Sequence, residues 1–328
     1  MVAAVINVIL CSVTLCALAQ EPATLKLAKT IPLPGIKGRF DHFAIDAKGH
    51  RLFVAALGNN TLEVLDIAGG KHLKSLTGLH KPQGVLYLAE QNQIAVANGD
   101  DGTLKLFDGT SYELLKSLGS LDDADNVRFD RKTKLIYVGF GDGALAMIDS
   151  TTMKQTGAIK LAAHPESFQL EQQGNRIFVN VPDARQIAVI DREKRSVTAT
   201  WPMEKFQAHF PMAVDETNHR LFVGCRNPAR LVVLDTTTGK PVTDLAISGD
   251  TDDLFYDAAL KRLYVPCGQG FVDVIDQPDA DTYVLRERIK TRPGARTSFF
   301  SPDLNEFYLA VPARGNQEAE IRVFKTQK

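Results

Sequence analysis

The feature that most restricts this chain is a block that returns. Arg51–Asp66, RLFVAALGNNTLEVLD, is two apolar-rich runs joined by a Gly-Asn-Asn turn and closed by an aspartate. Related blocks stand at Gln93–Asp108, Leu135–Asp149, Arg176–Asp191, Arg220–Asp235 and Arg262–Asp276, with a weaker copy at Glu306–Lys325. The second apolar residue of each block (Phe53, Ala95, Tyr137, Phe178, Phe222, Tyr264, Tyr308) recurs at steps of 42, 42, 41, 44, 42 and 44. A period of about 20–50 residues marks units that cannot bury their apolar faces alone and must stack.

Four strands are expected in the first unit: His42–Asp46, Arg51–Leu57, Thr61–Ile67 and His72–Leu76. Period-two alternation, β-branched residues and Gly/Asn/Asp punctuation support each of them. After the first nineteen residues no stretch carries a sustained helical stripe. Such units arranged radially make an all-β, seven-bladed β-propeller with four-stranded antiparallel blades. The seventh unit (Thr297–Pro302, Glu306–Val311, Glu320–Lys325) is one strand short, and Ala23–Leu33, ATLKLAKTIPL, alternates like the missing one. Pairing that N-terminal strand onto the last blade would close the ring and remove two open sheet edges. The expected division is a single domain over 20–328, with units near 41–82, 83–124, 125–165, 166–209, 210–252, 253–295 and 296–328 plus 23–33.

The runs LFVAALGNNTLEVLD, IYVGFGDGALAMID and LFVGCRNPARLVVLD resemble the YVTN-repeat β-propeller family of exported bacterial proteins. Asn98 is the clean copy of that repeat's asparagine. The resemblance extends over nearly all of the chain beyond residue 19. It implies a seven-bladed propeller, in a family mostly without an assigned reaction. Propellers of similar fold range from lactonases and lyases to haem, nucleic-acid and protein binders, so the fold does not select a function.

Residues 1–19, MVAAVINVILCSVTLCALA, carry no charged side chain and end in Ala17-Leu18-Ala19 before the polar Gln20-Glu21-Pro22. This predicts a cleaved signal peptide and a periplasmic or secreted protein, with an uncleaved anchor as the alternative. Cys11 and Cys16 fall inside that segment. Cys225 and Cys267 hold equivalent places in consecutive units. There they would stand farther apart than the roughly 4.4–6.8 Å between Cα atoms that a disulfide needs, so free thiols are expected. The formal net charge of −1 supplies no global basic field, so no nucleic-acid partner is expected. No membrane association is expected after signal cleavage, and the chain is expected to be monomeric.

The closing aspartates (Asp66, Asp108, Asp149, Asp191, Asp235, Asp276) precede turns and are expected to bond backbone N–H groups. Gly139–Gly143 and Asn98–Gly102 read as hairpin turns. Arg192-Glu193-Lys194-Arg195 reads as a solvated turn, and Trp201 as packing between blades.

Function is sought where the units do not copy one another, in the lead-in to each first strand. These read Arg39-Phe40-Asp41-His42, His80-Lys81-Pro82-Gln83, Asp122-Asp123-Ala124-Asp125-Asn126, His164-Pro165-Glu166-Ser167, His209-Phe210-Pro211, Asp250-Thr251-Asp252-Asp253 and Arg292-Pro293-Gly294-Ala295-Arg296-Thr297. In a propeller they would open at the mouth of the central channel. Arg39, Asp41, His42, Gln83, Asp123, Asn126, Glu166, Arg292 and Arg296 are the expected ligand contacts, with the arginines suited to an anionic group. Mixed imidazole and carboxylate nominates His42, His164, Glu166, His209 and Asp252 as candidate ligands of one divalent transition ion, if a metal binds; no other cofactor is indicated. Asp125 and Asp253 would then be candidate bases. Two functions remain open: a binding module for a small ligand or protein partner, and a metal-dependent, lactonase-like hydrolase or lyase at the same mouth.

Overall fold

Seven antiparallel sheets of four strands each make up the ring. The computed structural model describes residues 23–327, so residues 1–19, read above as a signal peptide, with Cys11 and Cys16, lie outside the described residues. Blade 1 comprises Phe43–Asp46, Arg51–Ala56, Thr61–Asp66 and Lys71–Leu76, within a residue or so of expectation. Leu57–Asn59 forms a short 3-10 turn between its middle strands. Blades 2 to 6 follow in chain order, and blade 7 joins Ser298–Ser301, Glu306–Val311 and Ala319–Thr326 to the N-terminal strand Leu25–Leu33. That closure runs from Leu25 opposite Thr326 to Leu33 opposite Ala319.

Burial follows strand position. In blade 1 the two middle strands are almost wholly buried, whereas the outer strand Lys71–Leu76 is mostly exposed. The periodic positions are core: Phe53, Phe178, Phe222, Tyr264 and Tyr308 are each 0% exposed. Their rings pack across blade faces, Phe222 lying 5.3 Å from Tyr256 and 5.6 Å from Tyr283. Trp201 packs 5.5 Å from Phe178 within a buried cluster. Cys225 and Cys267 are free and buried.

Five closing aspartates act as turn acceptors. Asp149 Oδ1 accepts from the Thr151 and Thr152 N–H groups at 3.1 and 2.7 Å, and Asp66, Asp108, Asp191 and Asp235 repeat the arrangement. Asp276 departs from it, receiving the Arg262 and Arg286 guanidiniums at 2.8 Å each.

The solvated reading of Arg192 is corrected by the structure. Its side chain is buried, donates to Asp130 of blade 3 at 2.9 Å and to the Glu171 carbonyl at 2.7 Å, and also bonds the Gly174 carbonyl. The cause lies in the neighbouring unit. Where Asp46 has Arg51 and Glu171 has Arg176 five residues on, Asp130 faces Leu135, so its cation comes from blade 4.

Candidate functional site at the channel mouth

Three lead-ins are fixed by the same backbone pair. Asp41 N–H donates to the Ala55 carbonyl at 2.8 Å and Ala55 N–H returns to the His42 carbonyl at 3.0 Å. Asp125-Asn126 does the same with Gly139 (2.9 and 3.0 Å), and Glu166-Ser167 with Asn180 (3.0 Å both ways). A shared backbone with unshared side chains converts the repeat into stacked rings. Aligned on the periodic positions, one ring holds Asp41, Gln83, Asp125, Glu166, Phe210, Asp252 and Arg296. The next residue inward supplies His42, Asn126, Ser167, Asp253 and Thr297.

Most of these enclose one small cavity of about 50 Å³, bounded among others by Arg39, Asp41, His42, Asp125, Glu166 and Asp252. His42 Nε2 stands 3.6 Å from Asp41 Oδ1 and 3.7 Å from Asp125 Oδ1, while Nδ1 stands 3.8 Å from Asp253 Oδ1. Those separations are too long for hydrogen bonds. Asp125 Oδ1 and Asn126 Oδ1 are buried and have no hydrogen-bond partner among the described residues.

The arginines are committed to carboxylates. Arg39 donates to Asp41 at 2.8 Å. Arg296 reaches Asp250 at 2.7 Å and Asp252 at 2.9 Å, and Arg226, a residue sequence reasoning missed, reaches Asp252 at 2.5 Å. Arg292 is exposed on the rim. Among the described residues Asp125 has only the His42 ring within ion-pair range, and Glu166 has no cation in that range. Burial therefore pushes Asp125 and Asp253 well above the usual carboxylate range, with neighbouring acids adding to it. Burial also raises Glu166 to about 7 and drives the His42 imidazole down to about 4, so His42 is neutral at pH 7.

The five residues nominated as metal ligands are not brought together. Among the described residues, the metal-ligating atoms that all lie within 4.8 Å of one another belong to Asp41, His42 and Asp125. Glu166 and Asp252 border the same cavity. His164 lies further out, its Nδ1 bonding the Gly141 carbonyl at 2.7 Å, near exposed Asp123 at 3.8 Å. His209 is 0% exposed, with Nδ1 at 3.2 Å from Asn180 Oδ1. It falls in the aligned layer of Phe40, Ala124, Thr251 and Ala295, all buried, one residue short of the mouth. Counting back from the periodic position would have separated His209 from Asp41 and Glu166. Gln83 spends its amide on the Ala124 carbonyl at 3.2 Å.

Glu166 supplies a pH prediction. Its folded-state pKa stands above the ordinary 4.5, so the folded protein holds this proton more tightly than the unfolded chain. The contribution to stability is fullest below pH 4.5 and is lost as pH rises through about 7. Glu166→Gln should therefore stabilise the fold at pH 8, by on the order of 2 kcal/mol, and raise the melting temperature there. At pH 5 it should change little. Melting curves at the two pH values, without divalent ions, check this; an equal shift at both would refute it.

No family model matches the chain. Among curated proteins, the uncharacterized protein YncE of Salmonella typhi and that of Salmonella typhimurium are each 23% identical over 197 residues, covering 58% of this chain and 55% of theirs. The chain thus spans about half the length of the curated relatives it matches. Among solved structures, a chain of the Mitotic Checkpoint Complex superposes with a TM-score of 0.76 at 14% identity, over 99% of both chains. A chain of the Kuenenia stuttgartiensis hydrazine synthase gives 0.76 at 16%, over 90% of this chain and 99% of its own. Similarity at this level carries the fold alone: the chain is a seven-bladed β-propeller, similar to YncE at low identity.

Proposed function

We propose that this chain is an exported binding module whose channel mouth takes a small ligand, or an exposed group of a protein partner, through a cationic moiety. The observation that carries this is the uncompensated acid at the mouth. Asp125 and Glu166 are largely buried, and among the described residues the neutral His42, beside Asp125, is the one basic side chain within ion-pair distance of either, while Arg39, Arg226 and Arg296 are already paired. A protonated amine entering there would lift the desolvation penalty on these carboxylates, which an anion would deepen. Putrescine serves as a probe. Calorimetric titration at pH 7.5 should show saturable binding that Asp125→Asn weakens more than about tenfold. Failure of putrescine to bind, or equal binding by the variant, sinks this reading.

The convergence of Asp41, His42 and Asp125 favours a second reading, a metal-dependent hydrolase or lyase. Two carboxylates and a neutral imidazole form the donor set of a divalent transition ion. The unpartnered Asp125 oxygen fits that role. Such an ion would polarise a bound carbonyl or water, and Asp253 would be placed to hold a proton beside it. Metal content measured after chelator-free purification separates the readings. Stoichiometric manganese or zinc, lost in both Asp41→Asn and Asp125→Asn, supports the enzyme; no uptake even under supplementation removes it.

A further inference from the structure

Below the mouth the channel widens into a second chamber of about 380 Å³. Its wall follows from the pairing of the first two strands. The residues opposite the periodic positions are Ala44, Leu86, Arg128, Gln169, Ala213, Phe255 and Phe299. All but Ala213 line the chamber. One strand register thus builds one ring of the channel, and in that ring Arg128 is the only charged member.

Arg128 is also without an ion pair among the described residues. Its one hydrogen bond to protein among the described residues runs from Nη1 to the carbonyl of its own neighbour Val127, at 2.9 Å. Its guanidinium lies 5.6 Å from the Phe168 ring centre. A guanidinium offers five N–H donors, so most of this one remains unspent. Asp253 and Asp125 are near enough to act on it electrostatically, but among the described residues neither stands within ion-pair distance. Asp253 accepts the Ser298 N–H at 2.6 Å, and Asp125 lies in the ring above. A cation held only for packing would be expected either to snorkel to water or to find a carboxylate. The walls around Arg128 are instead largely apolar and aromatic, with Leu86, Phe255 and Phe299 partly exposed to the chamber and His42, Gln169, Asp253 and Ser298 as polar members.

We propose that this chamber is a binding site for a small organic monocarboxylate with a flat apolar body, the carboxylate held by Arg128 and the body against Leu86, Phe255 and Phe299. A planar fork matches a carboxylate through two parallel hydrogen bonds. One guanidinium suits a monoanion; a phosphate dianion would need further donors, which the ring lacks. The volume lies within the roughly 300–1,000 Å³ of small-molecule sites. His42 and Asp253 border this chamber as well as the mouth, but the residues that would hold the ligand are different ones, so the proposal stands or falls independently of the mouth.

Benzoate is the probe, with benzylamine and benzyl alcohol as matched controls. Calorimetry on the full chain should show saturable benzoate binding and neither control bound as tightly. Arg128→Met should weaken benzoate by at least about tenfold, with Arg128→Lys in between. Arg131→Met, on the exposed turn nearby, should leave it unchanged. Should Arg128→Met fail to fold, intermolecular nuclear Overhauser effects from benzoate to the Phe255 and Phe299 rings of the native protein decide the matter. Binding unaffected at Arg128, benzyl alcohol equal to benzoate, contacts elsewhere, or no benzoate binding would each overturn the proposal.

Discussion

Deleting residues 23–33 is expected to abolish the soluble folded monomer. The strand Leu25–Leu33 completes blade 7 by pairing along Ala319–Thr326. It carries three apolar side chains into the ring, Leu25 at 3% exposure and Ile31 and Leu33 at 0%. Each such side chain contributes about 1.5–3 kcal/mol, so the three together match a large part of a domain's net stability of about 5–15 kcal/mol. Two further ties are lost. Thr24 donates through N and Oγ1 to Glu287 of blade 6 at 2.8 and 2.6 Å, and the Lys29 ammonium donates to the Ile67 carbonyl of blade 1 at 2.8 Å. The strand is therefore bound to its own blade and to the blades on either side. Removal also uncovers an unpaired strand edge, which templates association between chains. Size-exclusion chromatography and circular dichroism should show aggregate or unfolded chain. Adding a synthetic ATLKLAKTIPL peptide during refolding should restore a fraction of monomer. A deletion variant that elutes as a monomer and melts cooperatively would mean that the ring does not depend on this closure.

The repeat made the scaffold readable because a propeller asks the same thing of every blade. Phe53, Phe178 and Phe222 fill equivalent core positions, and Asp149 and Asp235 accept the same turn N–H groups, so one period is enough to assign them. The site is what the period leaves unspecified. Its general place, the lead-ins, was legible; the choice among their residues was not. In the lead-ins a buried residue such as Phe40, Ala124, Thr251 or Ala295 stands immediately before the cavity position, so a displacement of one residue separates His209 inside the blade from Glu166 at the cavity. Composition hid the sign of the site as well. Arg39 and Arg296 suggest an anion until their pairing with Asp41, Asp250 and Asp252 is seen. Arg128 escaped notice because it belongs to a strand, where attention fell on the core, and only the register shows that its ring faces the channel.

The same logic of one departure from a repeated pattern gives the second large effect. Asp130 is followed by Leu135 where Asp46 and Glu171 are followed by Arg51 and Arg176, and Arg192 crosses from the next blade to take the vacant role. Its side chain is 6% exposed and that of Asp130 is 3%. Arg192→Met keeps much of the apolar stem but leaves the Asp130 carboxylate and the carbonyls of Glu171 and Gly174 without their donor. Removing one member of a buried pair costs about 3–5 kcal/mol, because the other charge stays behind unpaired. At roughly 2–4 °C per kcal/mol for a domain of this class, the melting temperature should fall by about 10 °C. Lys194 provides the contrast from the same turn. It pairs with Asp191 at 3.3 Å, but its side chain is 71% exposed, so Lys194→Met should change stability by no more than about 0.5 kcal/mol. Salt should also distinguish them, since only the exposed pair is open to screening. Equal losses in the two variants would return Arg192 to the solvated surface and leave Asp130 to be stabilised by the backbone of its own turn.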